Sequence, residues 1–399
     1  MMATMGVWSR SVMAGLLIGL EMLSQPKLAA SSRPAALSAD SLTPIGDIVH
    51  GEIARHHIPG AVVLIGQGHE TVYREAFGLR ATTDAAVPMT IDTIFDLASL
   101  TKVVATTTAV MQLVERGELR LDAPASKYWP EFGAAGKATI TIRQLLTHYS
   151  GLKPDLNLAR PWSTYGTAMQ LLAAERPADS TGLHYIYSDE NFEVLGEIVH
   201  LVSGMPLDEY CDQNIFRPLG MRDTRFRPFA SEARRIAPTS SSQMGGHASL
   251  VVNDPTAQRM GGVAGHAGLF STADDLAIFA TMLLDGGAFH GMRVLEGHSV
   301  AIMTRPASPP AAPHARGLGW DLAEQFVSGL DGEPTVSSYG HTGFTGTMLW
   351  IDPASRTYVV VLANRTYPDG HGDAQPLRKA ILAYVSASLR RTASVTNLP

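Results

Sequence analysis

A single cysteine, Cys211, stands in a chain of 399 residues, so no disulfide within the chain can staple the fold. Stability has to come from a packed core, and 399 residues that are 45% hydrophobic suffice for one large two-part unit. Charge is scarce as well. Asp, Glu, Lys and Arg make up 17% of the chain, which excludes a chain kept disordered by charge. The formal net charge is -6 and the basic residues are scattered, leaving no stripe for nucleic acid. No apolar run is long enough to span a bilayer as a helix. Three catalytic signatures are missing too. Without Gly-x-Ser-x-Gly an ordinary α/β-hydrolase lacks its nucleophile elbow, and without His-Glu-x-x-His or Cys-x-x-Cys two metal and redox chemistries lose their ligands. The fourteen histidines show no ligand spacing. The glycine-rich stretch Gly261 to Gly268 lacks the strand, turn and helix of a phosphate cradle, so no cofactor and no metal are expected. Cys211 reads as a small buried hydrophobe and His266 as a structural or turn histidine.

The N-terminus has the layout of a secretory leader over residues 1–30. Arg10 precedes the apolar run Val12 to Leu20, and Ala29-Ala30-Ser31 supplies small residues for cleavage. Glu21 and Lys27 are unusual in such a leader, which leaves an uncleaved anchor or a misjudged start open. The leader predicts a periplasmic or secreted enzyme with no membrane span after cleavage. Residues 31–40, rich in Ser, Pro and Ala, read as a linker.

The remainder, 41–399, predicts an α/β (α+β) architecture: an antiparallel sheet flanked by helices, with an all-helical region inserted. Ser41-Leu42-Thr43-Pro44 caps a helix carrying Ile45, Ile48, Val49 and Ile53. Gly60 to Ile65 and Thr71 to Phe77 form a hairpin, and Thr347 to Ile351 pairs with Thr357 to Leu362 in a second. These two ends of the chain share one sheet, with the helix Pro376 to Leu389 packed back on it through Leu377, Ile381, Leu382 and Val385. The α/β part covers about 41–98 and 318–399. The helical part, about 99–317, includes Thr141 to Thr147, Ala168 to Ala174, Phe192 to Val202 and Thr272 to Leu284. Asp254 to Met260 and Pro306 to His314 read as loops.

Chemistry concentrates first in Phe95-Asp96-Leu97-Ala98-Ser99-Leu100-Thr101-Lys102. A serine hydroxyl needs a proton acceptor within reach to act as a nucleophile. Three residues is close to one helical turn, so Ser99 and Lys102 share a face. Leu100, Val103, Val104, Thr107, Val110, Met111 and Val114 continue at helical spacing, and Gly117 ends the run. Ser99 then opens a buried helix, where its backbone N–H and the positive end of the macrodipole favour an oxyanion. Ser-x-x-Lys alone is a common pattern. Two further constellations lie in order downstream: Tyr187-Ser188-Asp189, and Gly340-His341-Thr342-Gly343-Phe344-Thr345-Gly346-Thr347.

Together these resemble the Ser-x-x-Lys, Tyr-x-Asn and Lys/His-Thr-Gly signatures of the class C β-lactamase and penicillin-binding serine hydrolase family. The segments Leu145 to Leu152 and Gly261 to Thr272 also resemble it, so the likeness spans nearly the whole mature chain. It implies the same β-lactamase/transpeptidase-like fold, with a cleft between sheet and helical region. It also implies that Ser99 attacks a carbonyl while Lys102 and Tyr187 move its proton. The oxyanion would sit between the backbone N–H groups of Ser99 and Phe344, with Gly343 allowing close approach and Thr342 donating to the substrate. Tyr185 is the next candidate should Tyr187 not be the base.

Two departures bear on substrate choice. Asp189 stands where the family has Asn, and an ionised carboxylate only accepts hydrogen bonds. It either faces the substrate or orients Lys102 or a cationic substrate group. His341, largely neutral near pH 7, stands where many β-lactamases carry Lys. Asp189, His341, Thr342 and Gly343 are therefore the substrate-binding candidates. D-alanyl-D-alanine peptides or β-lactams are the first substrate reading, carboxylic esters the second, and a slow-turnover β-lactam or peptidoglycan-binding protein the third.

Overall fold

A computed structural model describes residues 36–82, 86–240, 250–310, 315–322 and 338–396, with side chains up to 391. The leader, the first half of the linker and the end of the Pro306 to His314 loop lie outside the described residues. Strand after strand in this chain is apolar without alternation, and the sheet explains why. Seven strands run in the order Val87–Pro88, Glu70–Ala81, Gly60–Gln67, Thr357–Ala363, Met348–Asp352, Tyr339–Thr342, Asp321–Leu322. Neighbours are antiparallel, with Val63 opposite Val361 and Trp350 opposite Val359. Both faces of the central strands are covered, which selects continuous Val, Ile and Leu runs.

One face, through Ala61, Val63, Ile65, Val359 and Val361, meets the helices Pro44–Ala54 and Gln375–Thr396 through Ile45, Val49, Leu377, Ile381, Leu382 and Val385. The other face, through Val62, Leu64, Val360 and Leu362, joins the larger core of the helical region. Residues adjacent in a strand thus belong to different cores, as the two-residue side-chain period requires. Both expected hairpins form, and the first and last parts of the chain share the sheet. Part of the expected linker is folded. Leu37 is buried, and Ser38 caps a short helix Ala39–Leu42 through a capping box with Ser41.

Helices Ile142–Leu146, Tyr165–Ala174, Asp189–Ser203 and Ala273–Leu284 occupy the segments where periodicity predicted them. Asp254 to Met260 does not stay a loop. Asp254 accepts a hydrogen bond from the Ala257 N–H and Pro255 sits at the first helical position, so residues Pro255–Arg259 form a helix.

Two glycines set how closely the helical region can pack. A Cβ on Gly265 would lie 1.8 Å from the Phe192 carbonyl oxygen, and one on Gly196 would lie 3.2 Å from Gly265 Cα. The helix Asp189–Ser203 and the loop at 265 therefore touch backbone to backbone. We expect Gly265→Ala to cost more than about 3 kcal/mol, because no side-chain rotation relieves a clash with a carbonyl. Gly166→Ala, in a helix with nothing within 4 Å of the new methyl, should gain about 0.5–1 kcal/mol. Urea midpoints of the two variants give the comparison, and equal midpoints would refute the close packing.

Candidate active site

Ser99 sits on a turn held from three directions. The Asp96 carboxylate accepts the Ala98 N–H at 2.9 Å and the Asn253 N–H at 2.6 Å. Burial raises its pKa to about 6 against those two hydrogen bonds. Leu97 N–H donates to Leu269 O at 2.9 Å, and Thr345 and Thr347 hydroxyls donate to Asp96 O and Leu97 O at 2.7 and 3.0 Å. Ala98 consequently adopts φ 46°, a left-handed conformation that costs a non-glycine residue roughly 1–2 kcal/mol. Ser99 then follows in a 3₁₀ turn, Ala98–Leu100, succeeded by a π-helical stretch Lys102–Thr107 and only then by the α-helix Thr108–Glu115. Sequence periodicity pointed to one regular helix. The wider turns at its start still keep Leu100, Val103 and Val104 in the core.

Lys102 is fully buried, and its three ammonium hydrogens meet three acceptors. Nζ lies 3.0 Å from Ser99 Oγ, 2.6 Å from Asp189 Oδ1 and 3.3 Å from the His266 carbonyl oxygen. It also stands 5.0 Å from the Tyr187 ring centre, beside that residue's hydroxyl. Burial pulls the Lys102 pKa down, but Asp189 and Tyr187 outweigh it and the net shift is upward. Lys102 is thus a cation that donates to Ser99, and Asp189 takes the Lys102-orienting place among its expected alternatives.

The His266 ring is gripped on both sides. Nε2 meets Asp254 Oδ1 at 2.9 Å, and Nδ1 lies 3.3 Å from Glu193 Oε1. Burial lowers the His266 pKa, yet Asp254 and Asp189 lift it to about 9. Burial would raise Asp254, but His266 brings it to about 2. Glu193 goes to about 8, mainly from burial. Asp189, Asp254 and His266 place one ligand atom each within 4.8 Å of one another, a spacing a metal ion could use. Their charges, however, are already matched, Asp189 with Lys102 and Asp254 with His266.

His148 lies within the Leu145 to Leu152 segment. It is fully buried with φ 60°, and its Nδ1 accepts from Ser188 N–H at 3.0 Å and Asn191 Nδ2 at 3.1 Å. The network assigns the hydrogen to Nε2, and the ring stacks on Tyr187 at 4.5 Å between centres. Burial and then Arg316 hold both His148 and His341 well below the usual imidazole pKa, so both are neutral. His341 Nδ1 lies 2.8 Å from Thr342 O. Gly343 is obligatory where it stands, since a Cβ would come within 2.3 Å of Leu97 O. Its carbonyl is held by Arg378, and Arg365 holds that of Phe344, so both sides of the third motif are anchored to the C-terminal part of the chain.

Ser99, Tyr187, Asp189 and Thr342 are half-buried and Phe344 is exposed, which marks the open side of the site. The rival nucleophiles are engaged or shut away. Ser150 Oγ donates to Asn191 Oδ1, Ser188 Oγ to Lys153 O, and burial drives the Cys211 thiol well upward. Tyr185, half-buried, lies beside Arg316, whose Nη1 donates to its hydroxyl at 3.2 Å.

This constellation of a serine, a buried lysine and a tyrosine agrees with what comparison with known proteins finds. The model of the family described as Beta-lactamase matches residues 45–383. The chain belongs to the β-lactamase family. It is a serine hydrolase of that family. A protein of Escherichia coli (strain K12), provisionally named D-alanyl-D-alanine carboxypeptidase, is 32% identical over 351 residues, covering 77% of this chain and 79% of the relative. A penicillin-binding protein homologue from Caulobacter crescentus superposes with TM-score 0.70 at 24% identity, covering 88% of this chain and 99% of that one. A family VIII carboxylesterase superposes equally at 0.70 and 22% identity, over 88% and 98%. These two share the fold. Among the described residues no helix is long and apolar enough to cross a membrane.

The charge cluster predicts an alkaline loss of stability. His266 keeps its proton to about pH 9 in the folded chain and to about 6.5 unfolded, so its contribution is complete below 6.5 and lost as pH rises through 9. Glu193 acts in the same direction, since the folded chain holds its proton to about pH 8 and the unfolded chain only to about 4.5. We expect Tm to fall steadily from pH 6.5 to 9.5, and His266→Gln to flatten that fall. A Tm independent of pH in the parent protein would contradict the assignment.

Proposed function

We propose that the protein is an exported serine acyl hydrolase that cleaves D-alanyl-D-alanine-type peptides or β-lactams through a Ser99 acyl-enzyme. The observation that carries the proposal is the 3.0 Å contact between Ser99 Oγ and a buried Lys102 ammonium that Asp189 holds in place. Ser99 Oγ attacks the carbonyl carbon. Lys102 already carries all its protons, so the acceptor is Tyr187 as its phenolate, charge-paired with the Lys102 ammonium. It takes the hydroxyl proton to become the phenol, and Lys102 stabilises the charge on the reacting oxygens. The oxyanion lies between the backbone N–H groups of Ser99 and Phe344. Tyr187 returns the proton to the leaving amine, and a water then attacks the ester at Ser99 by the same route.

For a substrate carboxylate, Thr342 supplies a donor. His341 is neutral; Arg378 adds positive potential near it, while the nearby Arg316 is paired with Asp321. The E. coli relative's name supports the peptide reading, and residues 10–31 support export. One observation favours a second reading, on uncharged esters. The third motif places a neutral imidazole, not a permanent cation, in the site, and a structural neighbour is named a carboxylesterase.

Mass spectrometry after labelling with a β-lactam or an activated ester should find the adduct on Ser99, and Ser99→Ala should lose it. An adduct elsewhere would sink the assignment. Tyr187→Phe should keep the fold and slow turnover about 100-fold or more. Asp189→Asn leaves Lys102 without its charge partner. We expect it to lower efficiency on a β-lactam and on an ester by similar factors. A ratio shifted several-fold toward the β-lactam would instead make Asp189 a specificity determinant.

A further inference from the structure

The segment Lys153 to Leu156 has two sides. On one, Lys153 O accepts from Ser188 Oγ and Pro154 O accepts from Asp189 N–H at 2.7 Å, so it backs directly onto the Tyr187-Ser188-Asp189 motif. On the other it forms one wall of a groove of about 550 Å³. Leu156, Pro161, Trp162 and Leu171 give the groove an apolar floor. Trp162 is fixed in advance. Its Nε1 donates to Asn157 O at 3.2 Å, and the Arg259 guanidinium lies 5.2 Å from its ring centre. Arg259 in turn is tied to Leu158 O and Arg160 O at 3.0 Å each. A preset ring costs a ligand little ordering entropy.

The rim carries the charge. Lys153 pairs with Glu175 and the two cancel. Arg160 and Arg176 remain, both exposed, and among the described residues neither has a carboxylate partner. Some surface arginines of this acidic chain are neutralised, as in Arg143 with Asp122, Arg217 with Asp212 and Arg227 with Asp208. Arg120, Arg222, Arg234 and Arg305 are exposed without a carboxylate partner among the described residues; what sets Arg160 and Arg176 apart is that both border one apolar groove. Two unpaired guanidiniums over an apolar floor suit a ligand with a carboxylate and an aliphatic body, since Arg recognises carboxylates through paired N–H groups.

We propose that this groove is a subsite for a carboxylate-bearing segment of the peptide substrate. The inference rests on the peptidase reading above. Its volume falls in the range of small-molecule pockets. Because its wall carries the hydrogen bonds to Ser188 and Asp189, an occupied groove also steadies the strip of backbone that presents Tyr187.

The test compares acetyl-Glu-Ala-D-Ala-D-Ala with the same peptide carrying Gln for Glu. The parent enzyme should prefer the Glu peptide about tenfold in kcat/KM, through KM, and the preference should shrink as salt is added. In Arg160→Ala/Arg176→Ala the two peptides should become equal within twofold, and in Arg160→Glu/Arg176→Glu the order should invert. No preference in the parent, or one that survives the double substitution, overturns the subsite. Should the enzyme cleave a short ester but neither peptide, the peptidase reading fails by itself. Binding of both peptides to Ser99→Ala protein, followed by fluorescence against a Trp162→Phe control, then decides the groove. Equal affinities for the Glu and Gln peptides would overturn it there.

Discussion

A lysine ammonium cut off from water is the constraint around which the site is built. Removing a charge of this kind from water costs several kcal/mol, and only close, well-directed partners repay it. Lys102 finds three acceptors, and they come from three distant parts of the chain: the turn at Ser99, the start of the helix Asp189–Ser203, and the loop at His266. None can move without stranding a buried charge. At Gly265, the residue before His266, a Cβ would come within 1.8 Å of the Phe192 carbonyl oxygen, which shows how tightly this convergence is drawn.

The same constraint accounts for the unusual charge environment next door. His266 offers its carbonyl to Lys102, so its ring has to be held still, and it is held between Asp254 and Glu193. Carboxylates collected for that purpose crowd one another. Glu193 and Glu190 respond by keeping their protons to about pH 8, chiefly through burial, while Asp254 stays ionised because it faces the imidazolium. Asp155, raised by burial, finds a partner in the Thr256 hydroxyl, on the helix that Asp254 caps. A neutral-acid and charged-acid mixture of this type lets several carboxyl groups share a small volume without mutual expulsion.

Much of this was legible in the sequence where the signal is local. Hairpin strands, the helix stop at Gly117 and the core face of the last helix follow from periodicity and turn residues, because each depends on neighbours a few positions apart. The distortions around Ser99 do not. The positive φ of Ala98 goes with hydrogen bonds to its neighbours made by Leu269, Thr345 and Thr347, more than 160 positions away. Within the π-helical stretch Lys102–Thr107 the Thr106 hydroxyl donates to Gly265 O, about as distant. His266 and His148 failed to announce themselves for a related reason. Each is isolated in sequence, and their partners Asp254, Glu193, Ser188 and Asn191 gather only on folding. The Asp254-Pro255 pair was a local signal, an N-cap followed by proline, and was outweighed by the loop-like composition around it.

In the proposed mechanism, Asp189 in place of asparagine changes how the proton can travel. With an amide there, a buried lysine would face only neutral acceptors, and desolvation would push it toward the neutral amine, a state able to take a proton from serine. With a carboxylate at 2.6 Å the ammonium is favoured and that route closes. What remains in reach is Tyr187, whose ring is pressed against the neutral His148 and whose hydroxyl lies beside the ammonium. Neutrality of His148 matters here, because an imidazolium stacked 4.5 Å away would add a second cation to a site that already holds one. Its Nδ1 is committed to accepting two N–H groups, which forbids a proton on that nitrogen and keeps the ring uncharged. The carboxylate at 189 and the imidazole at 148 thus act on the same pair from opposite sides, one fixing the charge on Lys102 and the other declining to compete with it.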